Sequence, residues 1–122
     1  MVFNYKKGDI MKKENIIKKS EEFEHIIKNN KSYRSKFFYI YIQKTNQETY
    51  RFGLSVGKKI GNAVTRNKTK RRIKEILSKN DYQKIFDCII IVRREIKGSN
   101  FSEIKEDLNN ALKRLLIIKE SK

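Results

Sequence analysis

The chain has 122 residues, and its 30 Lys and Arg against 14 Asp and Glu give a formal net charge of +16. This length fits one domain with a modest core, and no apolar run is long enough to predict a membrane span. The N-terminus lacks a secretory signal, and one cysteine excludes an internal disulfide or a thiolate metal cluster. We therefore expect a cytoplasmic protein that attracts a polyanion, either nucleic acid or an anionic membrane surface.

The first ten residues fit no predicted element. Met11 is followed by KKEN and looks like a second translation start. We expect residues 1–10 to be a disordered extension or a mis-assigned start. Residues 11–122 are expected to form a single domain.

Two segments rich in aromatic and β-branched residues, Lys36–Gln43 and Thr49–Val56, predict strands joined as a hairpin by a polar loop. One face of this hairpin is apolar throughout and suits a core. The other face combines an aromatic row with a row of small residues and one arginine, a shallow groove suited to single-stranded nucleic acid. Phe37 and Tyr39 are as consistent with burial under a helix as with this groove, whereas Tyr41 is favoured as exposed.

The remaining elements are two helices and an inner strand. A short helix is predicted to begin with Ser20 as its N-cap and to end at Asn30. The apolar run FDCIIIV, at Phe86–Val92, is typical of a strand covered on both faces, and its Cys88 is expected to be a buried, inert thiol. A last helix is predicted over Ser102–Ile118. With the basic helix described next, this order predicts an α+β sandwich.

The segment KKIGNAVTRNKTKRRIK, at Lys58–Lys74, carries eight Lys and Arg and no acidic residue. A solvated helix ordinarily mixes both charges and gains i,i+4 pairs, so this composition favours an anionic partner. With Asn62 as N-cap, a helical wheel places five polar side chains in one sector of roughly 140°, beside an apolar face. We call this sector the basic face, and such a sector suits successive phosphates and a base edge or 2′-OH. It comprises Arg66, Asn67, Lys70, Arg71 and Lys74.

The sequence predicts no protein active site. His25 is the only histidine, so the usual acid–base pair of protein ribonucleases is missing. Neither a metal-ligand spacing nor a glycine-rich phosphate loop is present. If the protein supports a reaction, we expect another molecule to supply the chemistry.

The central segment RFGLSVGKKIGNAVTRNKTKRRIKE resembles the signature of the bacterial ribonuclease P protein subunit. KKSEEFEHIIKNNKS and FDCIIIVRR resemble that family's first helix and late strand, so the likeness covers roughly residues 11–118. It implies an α-β-β-β-α-β-α sandwich similar to a ribosomal-protein domain, with a left-handed crossover at the basic helix. The family order contains one strand more than the three predicted above.

The resemblance also implies a function. The protein would be a non-catalytic, monomeric partner in a 1:1 complex with a catalytic RNA, which uses Mg²⁺ to remove the 5′ leader of precursor tRNA. The implied RNA-subunit-binding residues are Lys58, Lys59, Asn62, Arg66, Asn67, Lys70, Arg71 and Lys74. The implied leader-binding residues are Phe23, Ile27, Tyr41 and Arg51.

Five positions depart from the family pattern: Ile27, Gly57, Lys68, Thr69 and Lys74. Lys68 replaces the second arginine of an R-N-R motif, which keeps the charge but loses bidentate geometry. Ile27 stands where an aromatic residue would be able to stack on a base.

Two other functions are considered beside that of a ribonuclease P subunit. One is a general RNA-binding or ribosomal-type protein, and the other is a stand-alone endoribonuclease. The absence of acid–base pairs counts against the endoribonuclease.

Overall fold

The computed structural model describes residues 13–45, 48–82, 85–115 and 117–118. The predicted extension at residues 1–10 lies outside them. The helices are α1 (Ser20–Asn29), α2 (Ala63–Ser78) and α3 (Phe101–Arg114), and the strands are β1 (Tyr33–Arg34), β2 (Phe38–Lys44), β3 (Arg51–Ser55) and β4 (Phe86–Val92). Short 3₁₀ turns occupy Lys13–Asn15, Lys58–Ile60 and Arg94–Ile96. The α+β class and the α-β-β-β-α-β-α order are confirmed, and β1 is the strand that the sequence did not place.

The sheet order is β1-β2-β4-β3, and this order corrects the hairpin prediction. β2 and β3 are not paired with each other, because β4 lies between them, antiparallel to β2 and parallel to β3. Six of the seven β4 residues are buried. This burial is expected of an inner strand, which has a neighbouring strand along each edge and helices over both faces. Because β3 and β4 are parallel, α2 forms the crossover between them.

The main core lies on one face of the sheet, beneath α2 and α3. Ile73, Ile76 and Leu77 of α2 are buried in it, as the wheel predicted. α3 contributes Ile104, Leu108, Ala111 and Leu112. Because α2 buries only this narrow stripe, its polar residues remain on the outside of the helix.

The starts of α2 and α3 have clear physical causes, whereas two predicted helix ends were wrong: Ser20 is not the N-cap of α1, and α3 ends at Arg114 instead of Ile118. Asn62 is the N-cap of α2, as predicted, and its side chain accepts a hydrogen bond from the Thr65 N–H. Asn100 forms a reciprocal capping box with Glu103 at the start of α3. Ser20 is instead the first helical residue of α1, whose N-cap Lys19 makes no side-chain cap bond.

α1 lies across the opposite face of the sheet. Glu22, near its N-terminus, pairs with Arg51 on β3, and Asn30, just beyond its C-terminus, donates to Gln43 on β2 at 3.1 Å. The helix therefore crosses from β3 to β2 over β4. The side chains that face α1 form rows that run across β2, β4 and β3. The row beneath the polar contacts of α1 consists of Gln43, Asp87 and Arg51.

Gly53 sets how closely α1 approaches the sheet. A Cβ at Gly53 would lie 2.6 Å from Phe23 Cζ and 2.8 Å from Ile89 Cδ1. No side chain fits there unless α1 or its aromatic ring moves. Gly53 therefore lets the Phe23 ring lie directly against β3.

An ion-pair cluster ties α1 to both β3 and β4. Arg51 donates to the two carboxylate oxygens of Asp87 at 2.9 and 2.8 Å, and to Glu22 at 2.8 Å. Asp87 is buried and Glu22 is about one-third exposed. These carboxylates raise the pKa of Arg51 above its usual value, against the effect of burial, so the guanidinium stays charged.

We predict that Gly53→Ala lowers the free energy of unfolding by about 1–3 kcal/mol, because the new methyl group overpacks against Phe23. Urea denaturation measures this change. Gly57→Ala is the matched control, since nothing lies within 4 Å of a Cβ at that position. Equal stability of the two variants would contradict the close contact.

We predict that Asp87→Asn costs about 3 kcal/mol of stability, because it leaves a largely buried guanidinium without its main partner. Glu22→Gln should cost no more than about 1 kcal/mol, since the lost pair is partly solvated. Glu21→Gln is the control with the same change in charge at an exposed position. An equal loss for Glu22→Gln and Asp87→Asn in urea denaturation would show that this ranking is wrong.

Candidate nucleic-acid interface

The basic face lies along the outer side of α2. Asn67 and Arg71 are exposed, while Arg66, Lys70 and Lys74 are half-buried at its edge. None of the ion pairs found within residues 13–45, 48–82, 85–115 and 117–118 uses a cation of this face. Its positive charges are therefore not neutralised by carboxylates from the described part of the fold.

Arg66 has a further property that suits a ligand. Its Nε is buried and has no hydrogen-bond partner among the described residues. A buried donor left in this state is costly, and an acceptor from a bound molecule would satisfy it. Arg66 is therefore the member of the basic face with a buried, unsatisfied donor in the described part of the fold.

The other predicted RNA-facing residues lie at the N-terminal end of α2. Lys58 and Lys59 are exposed in the 3₁₀ turn before the helix. Asn62 is exposed, but its side-chain oxygen is used by the N-cap bond to Thr65. The amide nitrogen of Asn62 and the second lone pair of its oxygen remain for a ligand. The predicted set thus forms one continuous basic surface from the turn along α2.

A cavity of about 250 Å³ adjoins this surface, where α2 faces β3 and the segment before α1. Lys70 and Lys74 stand at its rim, and Phe52, Leu54 and Leu77 line its apolar part. Lysine side chains at such a rim are able to keep their aliphatic stems against apolar surface while their ammonium groups stay in solvent. This explains why both are half-buried although they belong to the basic face.

A second surface lies on the α1 side of the sheet. Phe23, Ile27 and Tyr41 meet there, partly buried against the small apolar cluster of Ile17, Ile26 and Ile89. On a wheel, Phe23 and Ile27 lie roughly 60° and 100° to one side of Ile26, and Glu22 lies roughly 40° to the other. Phe23 and Ile27 therefore form the edge of α1 away from the ion pairs.

Beside that edge lies the next row of the sheet, whose Ile91 packs against the same small apolar cluster. It consists of Tyr39, Ile91 and Ser55, aligned across β2, β4 and β3, and all three are half-buried. We call the surface formed by this row with Phe23, Ile27 and Tyr41 the sheet groove. It has an apolar and aromatic floor, with α1 as one wall.

Three of the four predicted leader-binding residues thus come together, and Arg51 does not join them. Arg51 lies in the row beneath α1, and its side chain is 15% exposed and bonded to Asp87 and Glu22. Three N–H···O contacts to these carboxylates leave little of the guanidinium for a phosphate. The position of Arg51 favours a structural role.

Phe37, one of the two aromatic residues left undecided by the sequence, is buried in the main core. Tyr39, the other, is half-buried in the sheet groove. Phe37 precedes β2, so the strict alternation assumed for Lys36–Gln43 does not extend to it.

No group of three or more His, Cys, Asp or Glu within the described residues is placed to hold a metal ion together. Burial raises the pKa of the Cys88 thiol above its usual value, which keeps it protonated and unreactive. In the same part of the chain, no helix is both long and apolar enough to cross a membrane.

Comparisons with known proteins give a consistent result. The family model described as Ribonuclease P matches residues 11–116. The ribonuclease P protein component of Mesoplasma florum is 40% identical over 111 residues, covering 87% of this chain and 99% of that protein. A Streptococcus pyogenes ribonuclease P protein component is 38% identical over 104 residues, with 84% and 87% covered.

Solved structures agree with these sequence relatives. The Staphylococcus aureus RNase P protein superposes with a TM-score of 0.79 at 33% identity, covering 86% of this chain and 98% of that one. The Thermotoga maritima RNase P protein gives 0.74 at 32% identity, with 80% and 94% covered. On the family match and these identities, the chain belongs to the ribonuclease P protein component family.

Proposed function

We propose that this ribonuclease P protein binds the catalytic RNA subunit through its basic surface and the 5′ leader of precursor tRNA through its sheet groove. The observation that carries the proposal is the basic face, whose cations have no carboxylate partner in the described part of the fold. Family membership identifies the RNA for which such a surface is suited. The protein then acts by holding RNA, and the RNA subunit performs the cleavage.

We infer that the RNA subunit supplies the chemistry and that the protein supplies positive charge. Mg²⁺, bound mainly by the RNA subunit, would activate the hydrolytic water and stabilise the leaving oxygen. The protein side chains supply charge: Lys58, Lys59 and the basic face lower the repulsion between two RNA molecules that must approach closely. This assistance should matter most at low Mg²⁺, when fewer cations screen the phosphates.

The two surfaces are well placed to act together. β3 ends at Ser55, on the floor of the sheet groove, and the chain reaches Lys58 and Lys59 three residues later. An RNA strand leaving the basic surface can therefore enter the groove beside these lysines. Aromatic and apolar residues on the groove floor suit unpaired bases, which stack without requiring a particular sequence.

The experiment that tests the proposal is cleavage of a 5′-extended precursor tRNA by a bacterial ribonuclease P RNA. Mg²⁺ is set low enough that the RNA alone is nearly inactive. We expect the added protein to restore cleavage at the mature 5′ end, and the protein alone to cleave nothing. No stimulation of a competent RNA would reduce the assignment to a general RNA-binding protein, and cleavage by the protein alone in chelator would indicate a protein nuclease.

We predict that Arg66→Ala weakens binding to the RNA subunit and lowers the slope of log K against log[salt] by about one, because one phosphate contact is lost. Lys113→Ala on α3 is the control, since it removes the same charge from an exposed position outside both surfaces. Filter binding over a salt series measures both slopes. Equal slopes for Arg66→Ala and Lys113→Ala would mean that Arg66 contacts no phosphate.

We predict that Tyr41→Ala weakens holoenzyme binding of precursor tRNA about tenfold and leaves mature tRNA binding unchanged, because a base loses its stacking surface. Competition binding with the two tRNAs measures the ratio. Since Tyr41 also packs against the small apolar cluster, the folded fraction of the variant is checked by circular dichroism. Equal losses for both tRNAs would remove Tyr41 from the leader site.

A further inference from the structure

Tyr39 is the aromatic side chain of the sheet groove that contributes least to the packing of the fold. It is half-buried, and it belongs to neither of the two apolar clusters nor to the partly buried residues packed against them. Its hydroxyl makes no side-chain hydrogen bond to any residue that the structure describes. Tyrosine in such a position presents both a ring face and a polar end to a ligand.

The other groove residues are less able to stack on a base. Phe23 is held against Gly53 and Ile89, at distances that would exclude a methyl group on Gly53. Ile27 is aliphatic and has no ring. Tyr41 is partly buried against the small apolar cluster, although one side remains accessible. Tyr39 therefore offers a second stacking surface beside that of Tyr41, which the residues of α1 do not provide.

A fixed cation lies beside Tyr39. The Arg93 guanidinium carbon is 5.3 Å from the centre of the Tyr39 ring, a cation–π distance. Arg93 Nη1 donates to the carbonyl oxygens of Ser35 and Lys36 at 2.7 and 2.8 Å, and its Nη2 is 3.4 Å from Glu95. These contacts hold the guanidinium in place, so it is already ordered before a ligand binds.

The spacing along β2 suits a nucleic-acid strand. Tyr39 and Tyr41 point to the same face two residues apart, which corresponds to about 6.8 Å along the strand. That is twice the ~3.4 Å separation of stacked bases, so the two rings are able to receive two different nucleotides of one strand. The two rings match unpaired bases, which stack on aromatic side chains.

We propose that Tyr39 and Arg93 form a nucleotide subsite at the open end of the sheet groove, which takes one unpaired nucleotide of the precursor tRNA leader. The base stacks on the Tyr39 ring, and Arg93, whose guanidinium is held by backbone carbonyls and by Glu95, fixes the position of that ring. This inference rests on the leader-binding function proposed above and adds a residue pair to it. An unpaired nucleotide of the RNA subunit has the same chemistry, so the test separates these two sources.

The sequence contains no tryptophan, so a Tyr39→Trp variant carries a single fluorescent reporter at the subsite. The variant is assembled with the RNA subunit, and Ca²⁺ replaces Mg²⁺ to slow cleavage. We expect precursor tRNA to quench the fluorescence once its leader is long enough to reach the subsite, within about ten nucleotides. Mature tRNA should produce no quenching. Quenching by the RNA subunit alone, or equally by mature tRNA, would overturn the assignment to the leader.

Affinity measurements provide a second test of the Tyr39 subsite. Tyr39→Leu should weaken binding of a long-leader precursor about tenfold, because the ring is lost. Tyr39→Phe keeps the ring and should bind within about twofold of the unmodified protein. Neither substitution should affect mature tRNA or the RNA subunit. If Tyr39→Leu binds the long-leader precursor as well as Tyr39→Phe does, the subsite does not exist.

The outcomes also distinguish this inference from the function on which it depends. If the unmodified holoenzyme binds precursor and mature tRNA equally well, the leader function itself fails. If it prefers precursor tRNA but the Tyr39 variants retain that preference, the groove binds the leader and only the Tyr39–Arg93 subsite fails.

Discussion

The burial of β4 on both faces is the constraint on which the rest of the structure depends. An apolar strand of this kind needs a strand on each side and a layer above and below. β2 and β3 supply the edges, α2 and α3 cover one face, and α1 partly covers the other. Placing β4 between β2 and β3 separates the two strands that are neighbours in sequence. It also creates the crossover that displays α2 on the surface.

The few acidic side chains are used where the fold requires them. Glu22 and Asp87 hold Arg51 between α1 and the sheet, and Asp107 of α3 accepts hydrogen bonds from Ser35 and from the Phe37 N–H. These carboxylates fix a helix and a loop by short, partly desolvated contacts. None of them neutralises the basic face. The chain thus separates the charges that stabilise the fold from those left for a polyanion.

The two proposed RNA surfaces differ in the contacts they offer. The basic surface presents flexible cations that suit phosphates and depend strongly on salt. The sheet groove presents rings and aliphatic groups on a rigid sheet, which suit unpaired bases and depend less on salt. Helix α1 is the wall of the groove, and its position is fixed by Gly53 and by the ion-pair cluster.

The sequence by itself determined the α+β class, the bounds of β4, the N-cap at Asn62 and the composition of the basic face. These features follow from local rules: apolar runs, helical periodicity and capping chemistry act over a few residues. It also determined the family, because the central motif is long.

Only the tertiary structure decided which strands pair, because pairing is a contact between residues distant in the chain. That decision placed Arg51 next to Asp87 instead of in an open groove, since both residues became neighbours only when β4 entered the sheet. It also buried Phe37 in the main core and left Tyr39 in the groove, a choice that strand alternation alone was unable to make.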